Sequence, residues 1–261
     1  MARGCGWARR RGSRGGTSIV AEGTPQGSTI SPLLANVYLH YAFDLWVQQW
    51  RRQQASGEVI VVRYADDFIV GFQRKSDATR FRDELERRLR KFALELHPEK
   101  TRLMRFGRFA AADRQIAGEG KPETFEFLGF THICGKGRTG SYALMRWTSA
   151  RRMRARLKEL KGALHRRRHL PIPEQGQWLG SVIRGYFAYH AIPTNIDRLC
   201  SFRTQAIRHW HRALQRRSQR ARMDWVRTKQ LVDRWLPPAR ILHPWPEDRF
   251  DARTRGKSRV R

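Results

Sequence analysis

Cysteines are scarce in this sequence, and long apolar runs are absent. The three cysteines, Cys5, Cys134 and Cys200, are odd in number and far apart, which excludes a disulfide framework and the Cys-x-x-Cys pairs typical of zinc sites. No stretch approaches the roughly 18 consecutive apolar residues that cross a bilayer, and no signal-like apolar segment follows the basic N-terminus. These absences predict reduced thiols and a soluble, cytoplasmic protein.

Acidic residues are also few. The 23 Asp and Glu residues stand against 53 Lys and Arg, a formal net charge of +30. Such a charge opposes compaction unless an anionic partner screens it, and nucleic acid is the partner that we expect. The composition is nevertheless 40% hydrophobic and 11% aromatic, which is too rich for a disordered polycation. For a chain of 261 residues we expect two folded lobes.

The positive charge is concentrated in the second half of the chain. Residues 1–145 contain 24 basic and 15 acidic residues, whereas residues 146–261 contain 29 and 8, so their net charges are +9 and +21. Residues 1–16 are rich in arginine and glycine without periodicity, which predicts a flexible basic arm. A basic C-terminal tail is predicted for residues 237–261.

The first lobe has the pattern of a mixed helix and sheet fold. Apolar residues recur at helical spacing over residues 31–50 and predict a buried helix there. Two β-rich runs, 58–65 and 68–72, are separated only by Asp66-Asp67, which predicts a hairpin with its turn at this pair. An apolar stripe predicts a further helix that packs on the hairpin, and its members are Phe81, Leu85, Leu89 and Phe92.

Short strands are also predicted at residues 94–96, 102–106 and 125–130, so the first lobe is expected to be α+β with an antiparallel sheet. Beyond residue 145 the pattern becomes helical. Further helices are predicted over about 174–189 and 197–217. The first helix of this lobe is expected to bury one face and to carry basic residues elsewhere; the buried residues are Met153, Leu157, Leu160 and Leu164. The second lobe is therefore predicted to be an all-α bundle.

The strongest chemical motif is Tyr64-Ala-Asp-Asp67 on the predicted hairpin. Paired carboxylates at a tight turn concentrate negative charge, and Mg²⁺ prefers carboxylate oxygens. Two such ions can stabilise both the attacking and the leaving oxygens in nucleotide transfer. Aspartate is also common in turns for reasons of backbone geometry, so the pair by itself leaves both interpretations open.

Several motifs occur together in a fixed order. Gly23-Thr-Pro-Gln-Gly27 is followed by Ser31-Pro-Leu-Leu-Ala-Asn36 and Arg63-Tyr-Ala-Asp-Asp-Phe68, then by His97-Pro-Glu-Lys-Thr101 and Phe125-Glu-Phe-Leu-Gly-Phe130. This series resembles the reverse transcriptases of group II introns, which are RNA-directed DNA polymerases, and residues 179–187 are similar to their thumb or maturase region. The resemblance implies a partial palm over residues 17–145 and an all-α thumb/maturase domain over residues 146–236.

The resemblance also implies roles for individual residues. Asp66 and Asp67 would be catalytic and would bind two Mg²⁺ ions. Lys100 would approach the triphosphate of the incoming nucleotide, although an exposed turn lysine is the alternative. The residues implied to contact nucleotide or template are Pro25, Gln26, Gly27, Tyr64 and Lys100. The residues implied to position the primer are Phe127, Leu128 and Gly129, for which an apolar core strand is the alternative explanation.

One part of the family pattern is missing. Reverse transcriptases have a fingers domain and a further metal-binding aspartate upstream of the Pro-Gln-Gly loop, whereas residues 1–22 contain no aspartate and only one acidic residue, Glu22. We therefore expect an N-terminally truncated homologue without independent polymerase activity, or one complemented by a second chain. A non-enzymatic RNA-binding splicing cofactor and an inert remnant of a mobile element are the alternatives.

Nucleic-acid binding by the second lobe does not depend on the missing aspartate. The expected partners are group II intron RNA and an RNA/DNA primer-template. Aromatic residues of this lobe are open to two interpretations, stacking on unpaired bases or packing in the core; they are Trp178, Tyr186, Tyr189, Trp210, Trp225 and Trp235. The predicted RNA-binding residues are Arg151, Arg152, Arg154, Arg156, Lys158, Lys161, Arg166, Arg167, Arg168, Arg184, Arg208 and Arg212.

Overall fold

A computed structural model describes residues 30–137, 140–217, 223–246 and 248. The predicted arm of residues 1–16, the loop residues Pro25, Gln26 and Gly27, and most of the tail from residue 247 onward lie outside the described residues. The chain divides into two compact units, Met1–Met104 and Arg105–Arg261. No helix among the described residues is both long and apolar enough to span a membrane.

The first unit consists of a helical run, a hairpin and a second helix. Its elements are α1 (Ser31–Leu39), a π-helical turn (His40–Asp44), α2 (Leu45–Gln53), β1 (Val59–Tyr64), β2 (Asp67–Phe72) and α3 (Lys75–Arg90). Strands β1 and β2 pair in antiparallel fashion. One face of this hairpin packs on the helices, because Val59 of β1 shares a core with Phe81 and Leu85 of α3. The predicted packing of α3 on the hairpin is thereby confirmed.

The prediction of a buried helix over residues 31–50 is wrong for its first half. Helix α1 has no buried residue, and Leu33 and Val37 are 62% and 49% exposed. Burial begins only at Ala42 and Phe43, in the π-helical turn. Apolar spacing defines a helix face, but burial also needs an element packed against that face. Tyr38 contacts Phe92, whereas Leu33 and Val37 remain exposed among the described residues.

A buried carboxylate fixes the loop between α2 and β1. Asp77, in the first turn of α3, is 2% exposed. It accepts hydrogen bonds from the backbone N–H groups of Ser56 and Gly57 at 2.9 and 3.0 Å, and from the Ser56 hydroxyl at 2.8 Å. Burial opposes ionisation, but these hydrogen bonds and the nearby Arg80 charge outweigh it, so the pKa of Asp77 is lowered.

Two of the predicted strands do not form. Residues 94–96 and 102–106 are outside any strand, and neither has an antiparallel neighbour in the described part of the chain. The backbone turns instead, with a φ of 50° at Ala93 and a hydrogen bond of 2.9 Å from the Thr101 N–H to the His97 carbonyl. Strand-like composition did not suffice here because a strand also requires a pairing partner.

The second unit combines a three-stranded sheet with helices. Its elements are α4 (Ala110–Ile116), β3 (Phe125–Phe127), β4 (Phe130–Lys136), β5 (Tyr142–Thr148), α5 (Ala150–Arg166), α6 (Ile172–His190), α7 (Ile196–Gln215) and α8 (Trp225–Trp235). The strand order is β3-β4-β5, antiparallel throughout. With two small antiparallel sheets and many helices, the predicted mixed α and β class is confirmed.

Three helices of the second unit form close to where they are predicted, and α5 also buries the predicted apolar stripe. The four predicted residues of α5 are its buried ones, and they share a core with α6 and α7. Sequence reasoning missed α8, which starts at an Asp224 cap whose carboxylate accepts the Arg227 N–H at 2.7 Å. Residue Val232 of α8 completes the same core.

A buried amide joins the sheet to the helices. Asn195, fully buried between α6 and α7, accepts the Thr148 N–H at 2.8 Å. Its own amide group donates to the Thr148 hydroxyl and to the His190 carbonyl, both at 2.8 Å. Beside it, Thr194 adopts a φ of 74°, rare for a β-branched residue, and its hydroxyl accepts the Arg146 N–H at 3.0 Å. Strand β5 is therefore fixed to the α6–α7 connection.

Replacing Asn195 by alanine should destabilise the second unit strongly. The change leaves the Thr148 N–H buried without a partner and removes one of two hydrogen bonds to the His190 carbonyl, which still accepts the Ile192 N–H at 2.9 Å. We therefore expect the free energy of unfolding to fall by roughly 1 to 3 kcal/mol. Urea denaturation of the variant and of an exposed control on α7, Thr204→Ala, measures the difference. A destabilisation no larger than that of the control would contradict this account.

The stability of the first unit should depend on the ionisation of Asp77. Because the folded-state pKa of Asp77 is lowered, its contribution is fully present above about pH 4 and is lost as the pH falls through the folded-state value. We expect the stability difference between the parent and Asp77→Asn to shrink as the pH is lowered in that range. A difference that stays constant in denaturation experiments at each pH would contradict the assignment.

Candidate catalytic hairpin and basic helical surface

The predicted hairpin forms, but its turn lies one residue earlier than predicted. Tyr64 pairs with Asp67, so the two turn residues are Ala65 and Asp66, not Asp66 and Asp67. The reason is conformational: a two-residue hairpin loop needs a positive φ, and Ala65 supplies it with a φ of 54°. Asp66 is therefore exposed at the tip, whereas Asp67 is the first residue of β2 and is half-buried.

The face of the hairpin opposite the helices remains exposed. Alternation along β1 leaves Ile60, Val62 and Tyr64 outside, with 61%, 48% and 64% of each residue exposed. Tyr64 lies directly across from Asp67 in the pairing register. The predicted site residues Tyr64, Asp66 and Asp67 are thus brought together at one end of the hairpin.

An arginine fixes this turn to the helices of the same unit. The guanidinium of Arg63 donates two hydrogen bonds to the carboxylate of Asp44, at 2.8 and 2.7 Å. It also donates to the side-chain oxygen of Asn36 and to the carbonyl of Ala65, both at 2.9 Å. Since Ala65 carries the unusual φ of the turn, Arg63 holds the strained residue beside the two aspartates.

The carboxylate of Asp44 is adapted to this role. Burial opposes its ionisation, but the hydrogen bonds and charge of Arg63, with a smaller effect of His40, outweigh burial and lower the pKa of Asp44. Asp44 lies in the π-helical turn, a feature that recurs at functional sites. The carboxylate is therefore ionised near neutral pH and forms a bidentate pair, the strongest geometry for an arginine–carboxylate contact.

Sequence reasoning missed Arg63, Asp44 and Asn36 as supporting residues. A signal was available, because Asp44 is the only acidic residue between positions 23 and 57. A lone carboxylate within an apolar helical segment requires a cationic partner. The arginine that begins the hairpin motif was the natural candidate.

The donor chemistry of Asp66 and Asp67 suits Mg²⁺, but the described residues supply only this pair. No group of three or more His, Cys, Asp or Glu side chains in that part of the chain is arranged to hold a metal ion. Carboxylate oxygens are nevertheless the preferred ligands of Mg²⁺, which often uses one or two of them together with phosphate oxygens. The pair fits a metal that a nucleotide helps to bind.

Lys100, Leu128 and Gly129, three other predicted site residues, lie at turns. Lys100 is half-buried in the first unit, and its N–H donates to the His97 carbonyl at 3.1 Å. In the second unit, Leu128 and Gly129 form the β3–β4 turn, with φ values of 48° and 82°. Phe127, just before this turn, is 6% exposed and therefore belongs to the packed interior.

Basic side chains cover the exposed faces of the second unit. Eleven of the twelve predicted RNA-binding residues are exposed, and Arg167, the exception, is half-buried with its guanidinium 4.4 Å from the centre of the Trp178 ring. On α5, Arg156 pairs with Glu159 at 3.0 Å. Glu159 is the only acidic residue of that helix, so most of its cations face solvent without a carboxylate nearby.

The aromatic residues divide between the two interpretations. Trp210 is fully buried and Tyr186 is 7% exposed, so both are core residues. Burial raises the pKa of Tyr186 to about 12, an effect that the Thr148 hydroxyl partly offsets. Tyr189 and Trp225 are 52% and 56% exposed and remain available for stacking.

Removal of the Arg63 side chain should loosen the hairpin turn. We expect Arg63→Ala to lower the free energy of unfolding by about 1 to 3 kcal/mol, because Asp44 is left without its charged partner. Arg63→Lys should recover only part of the lost stability, since lysine cannot form the bidentate pair with Asp44. Urea denaturation, with hydrogen exchange at the turn amides, measures the effect. An exposed control, Arg82→Ala, should change stability little, and an equal effect of both variants would contradict the role of Arg63.

Comparison with known proteins bears on this region. Residues 5–132, just under half of the chain, match the family model described as reverse transcriptase (RNA-dependent DNA polymerase). None of the curated proteins is significantly similar to the chain. The matched stretch contains Arg63, the aspartate pair and the β3–β4 turn. Residues 5–132 are therefore similar to a reverse transcriptase domain, which supports membership of the RNA-directed DNA polymerase family.

Proposed function

We propose that this chain is a homologue of the group II intron reverse transcriptases that binds RNA through its helical domain, in the manner of a maturase. The observation that carries the proposal is the basic surface of the second unit, where Arg and Lys side chains of α5 occupy every face that is not buried. In this assignment residues 17–145 are a partial palm and residues 146–236 are the thumb. The expected partner is intron RNA.

The physical basis of binding is charge. Residues 146–261 carry a net charge of +21, and cations that meet phosphates release condensed counterions. Binding should therefore weaken steeply with salt, with a slope of about −0.7 per phosphate contacted for single strands. Solubility alone does not require so large a charge of one sign.

Nucleotidyl transfer is the second candidate function. It is supported by the family match over residues 5–132 and by the exposed carboxylate of Asp66 beside Asp67 at the hairpin tip. The two carboxylates would hold Mg²⁺, which would supply charge neutralisation for a bound triphosphate. Lys100 would add a positive charge to the same triphosphate, and Tyr64 would contact the nucleotide.

The remaining implied roles concern the nucleic-acid strands. Pro25, Gln26 and Gly27 would lie where the template meets the incoming nucleotide. Leu128 and Gly129 would position the primer, with the buried Phe127 holding their turn in place, and the tight turn would bring backbone groups close to that strand. A primer-template of RNA and DNA is the substrate class of this proposal.

Primer extension on an RNA template with Mg²⁺ tests nucleotidyl transfer. If the chain is active, Asp66→Ala with Asp67→Ala should abolish extension, since the removal of both metal ligands commonly costs 10³-fold or more. Asp83→Ala, an exposed aspartate on α3, is the matched control and should leave activity unchanged. Extension that survives the removal of both hairpin aspartates would contradict their assignment.

RNA binding across a salt series tests the primary proposal. Arg154→Gln with Lys158→Gln on α5 should weaken binding and make the salt slope shallower by about 0.7 for each phosphate that the variant no longer neutralises. Lys75→Gln, an exposed lysine of the first unit, is the control and should leave the slope unchanged. Salt-dependent binding without extension would leave the maturase-like role; a chain that binds no RNA would contradict the proposal.

A further inference from the structure

A groove runs between α5 and α6 in the second unit. Its volume is about 530 Å³, within the range of sites that bind small ligands. Arg152 and Arg156 of α5 line it on one side, and Gly185 and Tyr189 of α6 on the other. No acidic residue lines the groove among the described residues, so its electrostatic preference is for an anion.

Tyr189 is held in place as a stacking surface. Its hydroxyl donates to the Leu128 carbonyl at 2.7 Å, and its ring stacks on Phe130 with a centroid distance of 5.6 Å and an angle of 21°. The residue is nevertheless 52% exposed. Because its hydroxyl and one face are already held, the Tyr189 ring loses little conformational entropy when a base stacks on its exposed face.

Gly185 leaves the floor of the groove clear. Two other glycines of α6 have packing reasons, because a Cβ atom at Gly176 would lie 2.5 Å from the Trp235 ring and one at Gly180 would lie 2.6 Å from the Trp235 carbonyl oxygen. A Cβ atom at Gly185 would meet nothing within 4 Å. Glycine is unfavourable in a helix interior, so Gly185 weakens α6. No packing contact among the described residues requires a glycine at this position.

The charges in the groove come from its arginines. Arg152 lies over the β3–β4 turn, with its Nη1 atom 3.1 Å from the Cβ position of Gly129. Arg156 contacts only the exposed Glu159 among carboxylates of the described residues. His190, which also lines the groove, adds no charge near neutral pH because burial lowers its pKa to about 4.

We propose that this groove binds an unpaired nucleotide of an RNA strand, with the phosphate on Arg152 and Arg156 and the base on the ring of Tyr189. The space over Gly185 admits the sugar. This site rests on the proposed RNA-binding function and specifies which part of the RNA the helical domain recognises. A base inside a duplex is already stacked on both faces, so the groove selects single-stranded segments.

The test compares two helix-interior glycines, one in the groove and one outside it. Gly185→Leu fills the groove, whereas Gly162→Leu, in the interior of α5, adds the same side chain beyond the groove, where a Cβ atom meets only the Arg166 side chain at 3.6 Å. Both changes favour the helix, so neither should lower the thermal midpoint. We expect Gly185→Leu in the full chain to weaken binding of a short labelled oligouridylate about tenfold and Gly162→Leu to leave it unchanged.

Tyrosine variants separate the ring from the hydroxyl. Tyr189→Leu should weaken oligouridylate binding about tenfold, whereas Tyr189→Phe, which keeps the ring, should retain most of the affinity. Neither variant should change the affinity for an RNA duplex of the same length. A parallel assay with oligodeoxyuridylate, which differs from oligouridylate only in lacking the 2′-hydroxyl, tests whether the groove prefers RNA.

If the folded Gly185→Leu and Tyr189→Leu chains bind the single strand as tightly as the parent, the groove proposal is wrong while RNA binding by the domain stands. An equal weakening on the duplex would show that the groove is not selective for unpaired nucleotides and would also overturn it. If the parent chain binds no RNA, both the groove and the proposed function fail.

Discussion

The surplus of arginine and lysine is the constraint around which both units are built. In the first unit, the scarce carboxylates are placed where a loop must be fixed: Asp44 holds the hairpin through Arg63, and Asp77 holds the α2–β1 loop. In the second unit, where acids are scarcer still, a neutral amide does this work, because Asn195 joins sheet to helix without a counter-charge. The hairpin, the α2–β1 loop and strand β5 are thus fixed in place, and most lysine and arginine side chains of the described residues remain exposed on the surface.

The exposed cations affect both the stability of the free protein and its proposed function. A helix such as α5 contributes to the core with only four residues in seventeen, yet their burial suffices to orient all its charged side chains outward. Mutual repulsion among those cations costs free energy that a polyanion recovers on binding. The surface whose charges destabilise the free protein is therefore the one that, in the proposed function, binds RNA.

Local patterns in the sequence predicted local structure well. The stripe of Met153 to Leu164 identified both the helix and its buried face, and two β-rich runs separated by an aspartate pair identified the hairpin. The failures involved information that is not local. The turn shifted to Ala65 because closure depends on φ, α1 stayed exposed because burial needs a partner, and residues 94–96 found no strand to pair with. The contacts of Arg63 span 19 and 27 residues of sequence, beyond the reach of periodicity.

The π-helical turn at His40–Asp44 has a consequence for sequence change in this helix. A π turn accommodates one more residue than a regular α-helical turn would. Deleting one residue there would restore regular hydrogen bonding, but it would rotate everything on one side by about 100° relative to the other. Asn36 and Asp44 could then no longer both face Arg63. Single-residue deletions at this point should therefore be poorly tolerated, because the π turn sets the angle between Asn36 and Asp44, the two side chains that bind the Arg63 guanidinium.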